Sequence, residues 1–381
     1  MNIYWITQID GKTLHKTSRV ELAKALRNRG HNVKLAIQKN IGEKQEIDRD
    51  TIYLPTITFS LVSRILFNIV ILFCFPFMIK RKKIDLIIID GGNVYPPFAL
   101  FLKLLGYPIL MDLRTLPTSE MNKIQSIFFS TSMLLSKFIV NGYTTITPEL
   151  KNLIVKKYKI DDSKIGIWTS GVSLKSFKKQ YETSDKPELF KNPQNFYLMY
   201  HGKYSRSRGV EDLIRSITKL EDTLKNKIKI VIVGIDCEKN DFFNKLVGKL
   251  NVNDNLEFVP AVEHEKVPLY ISNCDAGVIP LPTEIIWWRV SSPLKTLEYL
   301  AMSKPIIATN IPFHNEIFEK GKCGVLIKDS KPETIANAIT YLYNNRQELR
   351  RMGELGRDIV ERNYTWEKLA QNLEVFIQKI L

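Results

Sequence analysis

Two serines and a proline, followed closely by a lysine and a glutamate, could bind a sugar nucleotide through one helix. Ser292 is a typical N-cap residue, and Pro293 is typical of the first helical position. The N–H groups at such a helix start, with Ser291 and Lys295 beside them, would bind a diphosphate. Glu298 would accept both hydroxyls of a ribose. An ordinary capped helix with a solvent-facing glutamate is an equal alternative.

A second candidate anion site lies earlier in the chain, where a predicted strand ends at His201. Gly202 lets the backbone approach a ligand, and Gly234 follows the next strand in the same way. Lys203 and Arg208 are cations that would neutralise phosphate oxygens. Both candidate sites lie at strand-to-helix junctions, so we expect them to face one cleft. The alternatives are a packed core histidine and a basic surface turn.

The first half of the chain has its own strand-end candidates. Gly11 follows the first predicted strand, and Asp90 and Asn93 flank the end of another. Asp112 and Arg114 end a third. We expect Asp90, Asn93 and Arg114 to face the ligand cleft; structural hydrogen bonding is the equal alternative for Asp112 and Arg114. Asp48-Arg49-Asp50 resembles a metal-binding triplet, but it follows no apolar strand and is interpreted as surface.

These candidates require a scaffold of parallel strands, and the hydrophobic pattern predicts one. Short apolar runs alternate with helical patterns, which indicates doubly wound sheets covered on both faces. The predicted strands are Asn2–Thr7, Asn32–Gln38, Ile84–Ile89, Pro108–Asp112, Tyr143–Thr147, Lys164–Trp168, Phe196–His201, Ile228–Val233, Leu256–Val259, Ala276–Ile279 and Pro305–Ala308. The predicted helices are Leu14–Gly30, Gly209–Leu220, Asp241–Lys249, His264–Ser272, Pro293–Met302, Pro332–Asn344 and Lys368–Leu381.

The length of 381 residues favours two domains. A polar stretch at Lys178–Asn195 predicts the boundary. We therefore expect one domain at 1–180, a second at 181–363 and a last helix within 364–381. Ligands of such sheets bind at the carboxyl ends of the strands.

The charge is concentrated in the first half of the chain. Residues 1–180 hold 27 Lys+Arg and 13 Asp+Glu, a balance of +14, whereas residues 181–381 hold 28 and 27, a balance of +1. This suggests an anionic partner, although a merely basic surface is an alternative.

Ile65–Ile79 is apolar but shorter than the ~20 residues that span a bilayer. It is interpreted as a buried helix or as one that dips into a leaflet. No signal peptide is predicted, and four scattered cysteines indicate neither disulfides nor zinc.

At these residues the sequence resembles glycosyltransferase family 4. The segments that carry the resemblance are Tyr200–Lys203 with Arg208-Gly209, Val231–Gly234, Asp275–Pro280, Ser292–Lys295 with Glu298–Ala301, Lys304–Thr309, Trp168–Ser173 and Gly30–Val33. The resemblance covers most of the chain and is more specific in the second half. It implies the two-domain GT-B fold and a retaining reaction. In that fold 1–180 would be the acceptor-binding domain and 181–363 the nucleotide-sugar domain, with a last helix within 364–381 that crosses back to the first domain. Asp90, Asn93 and Arg114 would contact the acceptor.

The resemblance also implies residue roles. Lys203 and Arg208 match the basic pair that neutralises the donor diphosphate, and Glu298 matches the second glutamate of the family's EX7E motif. The first glutamate of that motif is replaced by Val290. Asp112 lies in a strand end that resembles a family segment and is a third catalytic candidate. The donor is expected to contact Gly11, His201, Gly202, Gly234, Ser291, Ser292, Lys295 and Glu298.

The expected reaction moves a sugar from a nucleoside diphosphate sugar to a glycan or lipid-linked acceptor, without metal or another cofactor. The expected location is the cytoplasm, with peripheral contact to an anionic membrane surface. A sugar-nucleotide epimerase of the same architecture is the first alternative. A non-catalytic binder of anionic surfaces is the second, and nucleic acid is not expected as a partner.

Overall fold

The computed structural model describes residues 1–7, 16–40, 50–56, 71–73, 83–91, 96–115, 123–178, 187–236 and 241–381. These residues form two compact units, Met1–Ser170 with Trp366–Leu381, and Gly171–Thr365. Each unit is a doubly wound α/β domain with a parallel sheet, so the predicted fold class is confirmed.

The first unit contains a seven-stranded sheet in the order β3-β2-β1-β4-β5-β6-β7. Its strands are β1 (Asn2–Thr7), β2 (Asn32–Asn40), β3 (Thr51–Thr56), β4 (Leu86–Asp90), β5 (Ile109–Leu113), β6 (Gly142–Thr145) and β7 (Ile165–Ile167). Its helices are α1 (Lys16–Asn28), α2 (Pro96–Leu104), α3 (Lys123–Ile139), α4 (Pro148–Tyr158) and the last helix, α14 (Trp366–Ile380). Helix α14 packs on α1, where Arg29 donates to Glu374 over 2.7 Å.

The second unit contains a six-stranded sheet in the order β10-β9-β8-β11-β12-β13. Its strands are β8 (Phe196–His201), β9 (Ile228–Val233), β10 (Leu256–Val259), β11 (Ala276–Ile279), β12 (Ile306–Thr309) and β13 (Gly324–Ile327). Its helices are α5 (Val210–Ser216), α6 (Asp222–Lys225), α7 (Asp241–Leu250), α8 (Val267–Asn273), α9 (Ile286–Arg289), α10 (Leu294–Ala301), α11 (Pro312–Lys320), α12 (Pro332–Asn344) and α13 (Leu349–Asn363).

The central strands of the second sheet are buried on both faces because successive side chains enter different cores. Phe196, Leu198 and Tyr200 of β8 pack in one cluster. Tyr197 and Met199 pack in the other. This alternation explains why the strand is a continuous apolar run rather than an alternating one.

The division between the units falls at Ser170 and Gly171, earlier than the predicted boundary at residue 180. The N–H of Val172 donates to the Tyr364 carbonyl over 2.9 Å. Phe177 is buried in a core cluster of the second unit. These contacts attach the segment after Ser170 to the second unit, because its apolar side chains are buried there.

Candidate functional site

The order of the second sheet creates a crevice between β8 and β11. The chain runs from β8 outward through β9 and β10, then returns to β11 on the other side of β8. Ligands of doubly wound sheets bind at this reversal, outside the carboxyl ends of the strands. His201 is the last residue of β8, and Gly202 follows it at φ +125°. The predicted anion turn therefore lies at the expected ligand position of its unit.

His201 links the end of β8 to helix α10. Its Nε2 lies 2.7 Å from Oε2 of Glu298, and its Nδ1 lies 2.9 Å from the Tyr299 hydroxyl. That hydroxyl donates to the Met199 carbonyl over 2.8 Å. All three side chains are buried. The structure thus brings together His201 and Glu298, two predicted donor residues that are far apart in sequence.

A second histidine binds the other oxygen of Glu298. Nε2 of His264, from the turn before α8, lies 2.8 Å from Oε1. Burial alone would raise the pKa of Glu298, but the hydrogen bonds from His201 and His264 outweigh it and hold that pKa well below its usual range. Glu298 is therefore a carboxylate, and each of its oxygens keeps a lone pair for a further donor.

Each ring nitrogen of His201 has a hydrogen-bond partner. Nε2 faces the Glu298 carboxylate, and Nδ1 faces the Tyr299 hydroxyl, which itself donates to the Met199 carbonyl. Burial lowers the pKa of His201, and the hydrogen bond to Glu298 opposes that effect.

Lys295 lies one turn before Glu298 and points at the same crevice. Its side chain is buried, and Nζ has no hydrogen-bond partner among the described residues. Nζ lies 3.9 Å from the centroid of the Tyr200 ring, and a Cβ placed on Gly202 would lie 3.3 Å from it. Burial lowers its pKa well below 10.5, nearby Arg208 adds to this, and Glu298 opposes it. A buried amine without a partner is costly, so the position favours a bound anion.

The turns after β8 and β9 each need a glycine. Gly202 and Gly234 both have positive φ, +125° and +105°. A Cβ on Gly234 would lie 2.8 Å from the Gly202 carbonyl oxygen, closer than side chains tolerate. The two strand ends therefore approach each other with bare backbone.

Arg208 is positioned by a tryptophan from helix α9. The Trp288 indole donates to the Ser207 carbonyl over 2.6 Å, and the Arg208 guanidinium stacks on the same ring at 5.2 Å. Trp288 therefore holds the turn that carries Arg208. Lys203 is exposed in the same loop.

The start of helix α10 differs from the prediction. Its N-cap is Pro293, with no capping hydrogen bond from a side chain, rather than Ser292. Ser292 is buried, and the Ser291 hydroxyl donates to the Trp288 carbonyl over 2.9 Å. The proline cannot cap because it has no side-chain acceptor. Backbone N–H groups at this end are consequently not covered by a capping side chain.

The strand ends of the first unit carry a buried ionic network. Asp90 accepts from the Thr7 hydroxyl over 2.5 Å and from Arg19 over 3.0 Å. Thr7 ends β1 and Asp90 ends β4, so these contacts bridge the reversal point of this sheet. The Asp90 side chain thus has structural partners within the unit.

Asp112 and Arg114 lie beside this network and contact Trp168. Oδ1 of Asp112 accepts from Thr144 over 2.8 Å and from the Trp168 indole over 2.9 Å. Arg114 stacks on that indole at 3.5 Å and donates to the Trp168 carbonyl over 2.6 Å. Burial raises the pKa of Asp112 and lowers that of Arg114 to about 9. Oδ1 of Asp112 thus has structural partners, whereas its buried Oδ2 has no hydrogen-bond partner among the described residues.

The described residues contain neither a metal-binding cluster nor a membrane-spanning helix. In that part of the chain, no group of three or more His, Cys, Asp or Glu side chains is placed to hold a metal ion. None of its helices has the length and apolar character needed to cross a bilayer.

Comparisons with known proteins agree with this geometry. The model of the family "Glycosyl transferases group 1" matches residues 182–359, and that of "Glycosyltransferase Family 4" matches residues 17–176. The chain belongs to the group 1, family 4 glycosyltransferases.

Two curated relatives support the assignment. An uncharacterized glycosyltransferase of Methanocaldococcus jannaschii is 26% identical over 236 residues, which cover 62% of this chain and 58% of the relative. CapM of Staphylococcus aureus, a capsular polysaccharide biosynthesis glycosyltransferase, is 22% identical over 255 residues, or 64% of each chain. This glycosyltransferase therefore spans less than two thirds of the length of the curated relatives it matches.

Solved structures show the same fold. Sucrose-phosphate synthase of Thermosynechococcus elongatus has a TM-score of 0.77 at 17% identity, covering 100% of this chain and 98% of the other. HepE of Anabaena, solved in complex with UDP, has a TM-score of 0.75 at 13% identity and full coverage of both chains. The glycosyltransferase thus has the predicted GT-B fold.

Some residues named in the sequence analysis lie outside the part of the chain that the structure describes. Gly11 and Asn93 lie outside the described residues of the glycosyltransferase, as do Asp48 and Arg49. Of Ile65–Ile79, only 71–73 are described; they are helical, with Ile71 buried and Phe73 65% exposed.

Sequence reasoning missed two residues of this glycosyltransferase site. His264 was predicted only as the start of a helix, yet it binds Glu298. Tyr299 lies in one of the family-like segments but had no predicted role, yet it anchors His201. A tyrosine directly after the predicted ribose-binding glutamate was the available signal. His264 had none, because only the fold brings it there.

Proposed function

We propose that this protein transfers a sugar from a nucleoside diphosphate sugar to an acceptor hydroxyl with retention of configuration and without a metal. The observation that carries the proposal is the buried Lys295 amine, which has no partner among the described residues and faces the Gly202 turn. A diphosphate would supply the missing anion. UDP-glucose is bound by HepE, a protein of the same fold.

In the proposed donor complex, charge on the leaving diphosphate is met by Lys295 and by Arg208. Lys203 is exposed in the loop that carries Arg208 and would be a further cation for the diphosphate. The N-terminus of α10 adds its dipole. Cations placed where charge develops lower the barrier most, so these groups promote departure of the nucleotide.

Glu298 would bind the ribose of the nucleotide. Its carboxylate keeps lone pairs after accepting from His201 and His264, and two ribose hydroxyls can donate to them. The histidines fix the orientation of the carboxylate before the donor arrives. Val290 replaces the family's first glutamate, so sugar recognition depends on other groups.

We propose a lipid-linked or polysaccharide intermediate as the acceptor, bound by the first unit at the inner face of the cytoplasmic membrane. The +14 balance of residues 1–180 supports this. The related CapM is named for capsular polysaccharide biosynthesis.

A thermal-shift panel of nucleoside diphosphate sugars tests the donor assignment. One member should raise the melting temperature, and the free nucleoside diphosphate should do so as well, because ligands that bind only the folded state stabilise it by mass action. A panel without any shift would contradict the proposal. Release of an epimerised sugar without acceptor would instead establish the epimerase alternative.

A further inference from the structure

The outer side of helices α2 and α3 in the first unit is an exposed apolar surface. Of the fifteen exposed large hydrophobic side chains among the described residues, eight lie on this helix pair and the residue that follows α2. We call this set the apolar ridge. It consists of Leu100, Leu104, Leu105, Ile127, Phe128, Leu134, Leu135 and Phe138. Exposed patches of several hundred Å² are roughly the limit for ordinary surfaces, and larger ones indicate interaction sites.

Helix α3 is apolar on both faces. Ile127, Leu134 and Phe138 follow helical spacing along the outer face and are 65%, 52% and 84% exposed. The inner face carries buried Met133 and other apolar side chains together with buried serines. Ser136 donates to the Met133 carbonyl over 2.8 Å and lies 2.8 Å from the hydroxyl of a buried tyrosine. A helix whose outer face met only water would carry polar side chains there.

Helix α2 extends the same surface. Leu100 and Leu104 are one turn apart and are 46% and 77% exposed, whereas Phe98 and Leu102 are buried toward the sheet. The connections from β4 to β5 and from β5 to β6 run in the same direction, so both helices cover one face of the sheet. They also pack against each other. The ridge is therefore formed by two neighbouring helices.

The charges on this helix pair identify the kind of partner. The sequences of α2 and α3 contain three lysines and neither aspartate nor glutamate. Lys103 is exposed beside Leu104, and Lys137 is half-buried beside Phe138. Two copies of this face would bring like charges together. An anionic bilayer offers both an apolar interior and opposite charge.

We propose that the apolar ridge inserts into the interfacial region of an anionic phospholipid bilayer, with Leu104 and Phe138 entering furthest. The proposal deepens the proposed membrane association by assigning it to α2 and α3 rather than to Ile65–Ile79. The ridge is on the helix layer, away from the carboxyl ends of the strands. Docking would thus leave the strand-end edge of the first unit open to a lipid-linked acceptor.

Vesicle flotation with the full chain tests this assignment. Vesicles of phosphatidylcholine alone are compared with vesicles of phosphatidylcholine and phosphatidylglycerol at low salt. The double variant L104Q/F138Q should partition at least tenfold less into the anionic vesicles. Each apolar side chain raises the partition coefficient by a factor of about ten when it leaves water, and the glutamines lack this gain. F138W should bind as the wild type does. V375Q is the matched control, since Val375 is 63% exposed in α14 of the same unit.

Three results would overturn the proposal: equal partition of L104Q/F138Q and wild type, equal binding of wild type to both vesicle types, or a wild-type dimer in sedimentation that L104Q/F138Q dissociates. The last would make the ridge a contact between copies. Melting curves of the double variant should match those of the wild type, because the replaced side chains are exposed. The thermal shift with nucleoside diphosphate sugars reports the donor site separately, so either proposal can fail alone.

Discussion

Replacement of Lys295 by methionine should have opposite effects on stability and on ligand binding. Methionine keeps the length and most of the volume of the side chain but removes the amine. The amine is buried without a hydrogen-bond partner among the described residues, so the ligand-free fold loses an unfavourable group. The nucleotide loses the cation that we assign to its phosphates. K295M should therefore be more stable than the wild type without ligand and bind the donor poorly.

The magnitude follows from two opposing contributions. An unpaired buried polar group costs about 1–3 kcal/mol. The contact of Nζ with the Tyr200 ring at 3.9 Å returns about 0.5–2 kcal/mol. We expect a net gain of about 1 kcal/mol for K295M, or ~2–4 °C in the melting temperature of a unit of this size. Wild-type protein at a hundredfold excess of donor over its Kd should gain about 2.7 kcal/mol, which K295M lacks.

The pH dependence gives an independent check with a fixed sign. The folded-state pKa of Lys295 is lowered by burial, so the unfolded chain holds more protons between that pKa and 10.5. Wild-type stability then rises with pH across this window. The advantage of K295M should be largest below the lowered pKa and should shrink as the pH approaches 10.5.

Urea denaturation and thermal melting, with and without a nucleoside diphosphate sugar, measure both effects. K266M is the control, because Lys266 is an exposed lysine of the same unit. It should change the free energy of unfolding by less than ~0.5 kcal/mol and keep the ligand-induced shift. A K295M protein that is less stable than the wild type, or that keeps the shift, would refute the reasoning.

Two further substitutions test the groups around the crevice. Y299F should lower the free energy of unfolding by ~2–4 kcal/mol because two buried partners of the Tyr299 hydroxyl lose their hydrogen bond. Y200F is the control and should change the free energy of unfolding by less than ~1 kcal/mol, since the Tyr200 hydroxyl lies near Arg208 without a hydrogen bond of good geometry. Equal urea midpoints for Y299F and Y200F would contradict the role of Tyr299 as an anchor. W288F should weaken donor binding about 3–10-fold in calorimetry, because the Ser207 turn loses an indole hydrogen bond. An unchanged Kd, or an equal loss in the neighbouring W287F, would show that the turn does not depend on Trp288.

The buried strands were the most predictable part of the fold. The bounds of Phe196–His201, Ile228–Val233, Leu256–Val259 and Ala276–Ile279 agree with the structure. Three of them are apolar runs that are covered on both faces, which leaves a clear signal in the sequence, and Leu256–Val259 is a shorter run at the sheet edge.

Two strands at sheet edges were missed for physical reasons. Thr51–Thr56 contains Pro55, which argues against a central strand but is tolerated at an edge, where β3 lies. Gly324–Ile327 has only four residues and begins with a glycine at φ +153°. A run this short carries little pattern of its own, and its pairing with β12 decides its conformation.

The candidate site was predictable as a set of positions but not as a set of contacts. His201 was predicted to meet the donor, and its ring instead binds Glu298 and Tyr299. Local sequence shows that a histidine ends a strand. It does not show which helix returns to that strand end, because the partners lie nearly a hundred positions away.

The two sheets carry polar residues at equivalent places, and their state of pairing separates their roles. At the reversal point of the first sheet, Asp90 is satisfied by Thr7 and Arg19. Neighbouring Asp112 keeps a buried carboxylate oxygen without a hydrogen-bond partner among the described residues. At the reversal point of the second, Lys295 keeps a buried amine without a partner among the described residues. A protein retains such a cost where a ligand repays it, because apolar substitution would otherwise be favourable. The buried Lys295 amine therefore supports the proposed donor site in the second unit on energetic grounds that are independent of the family resemblance.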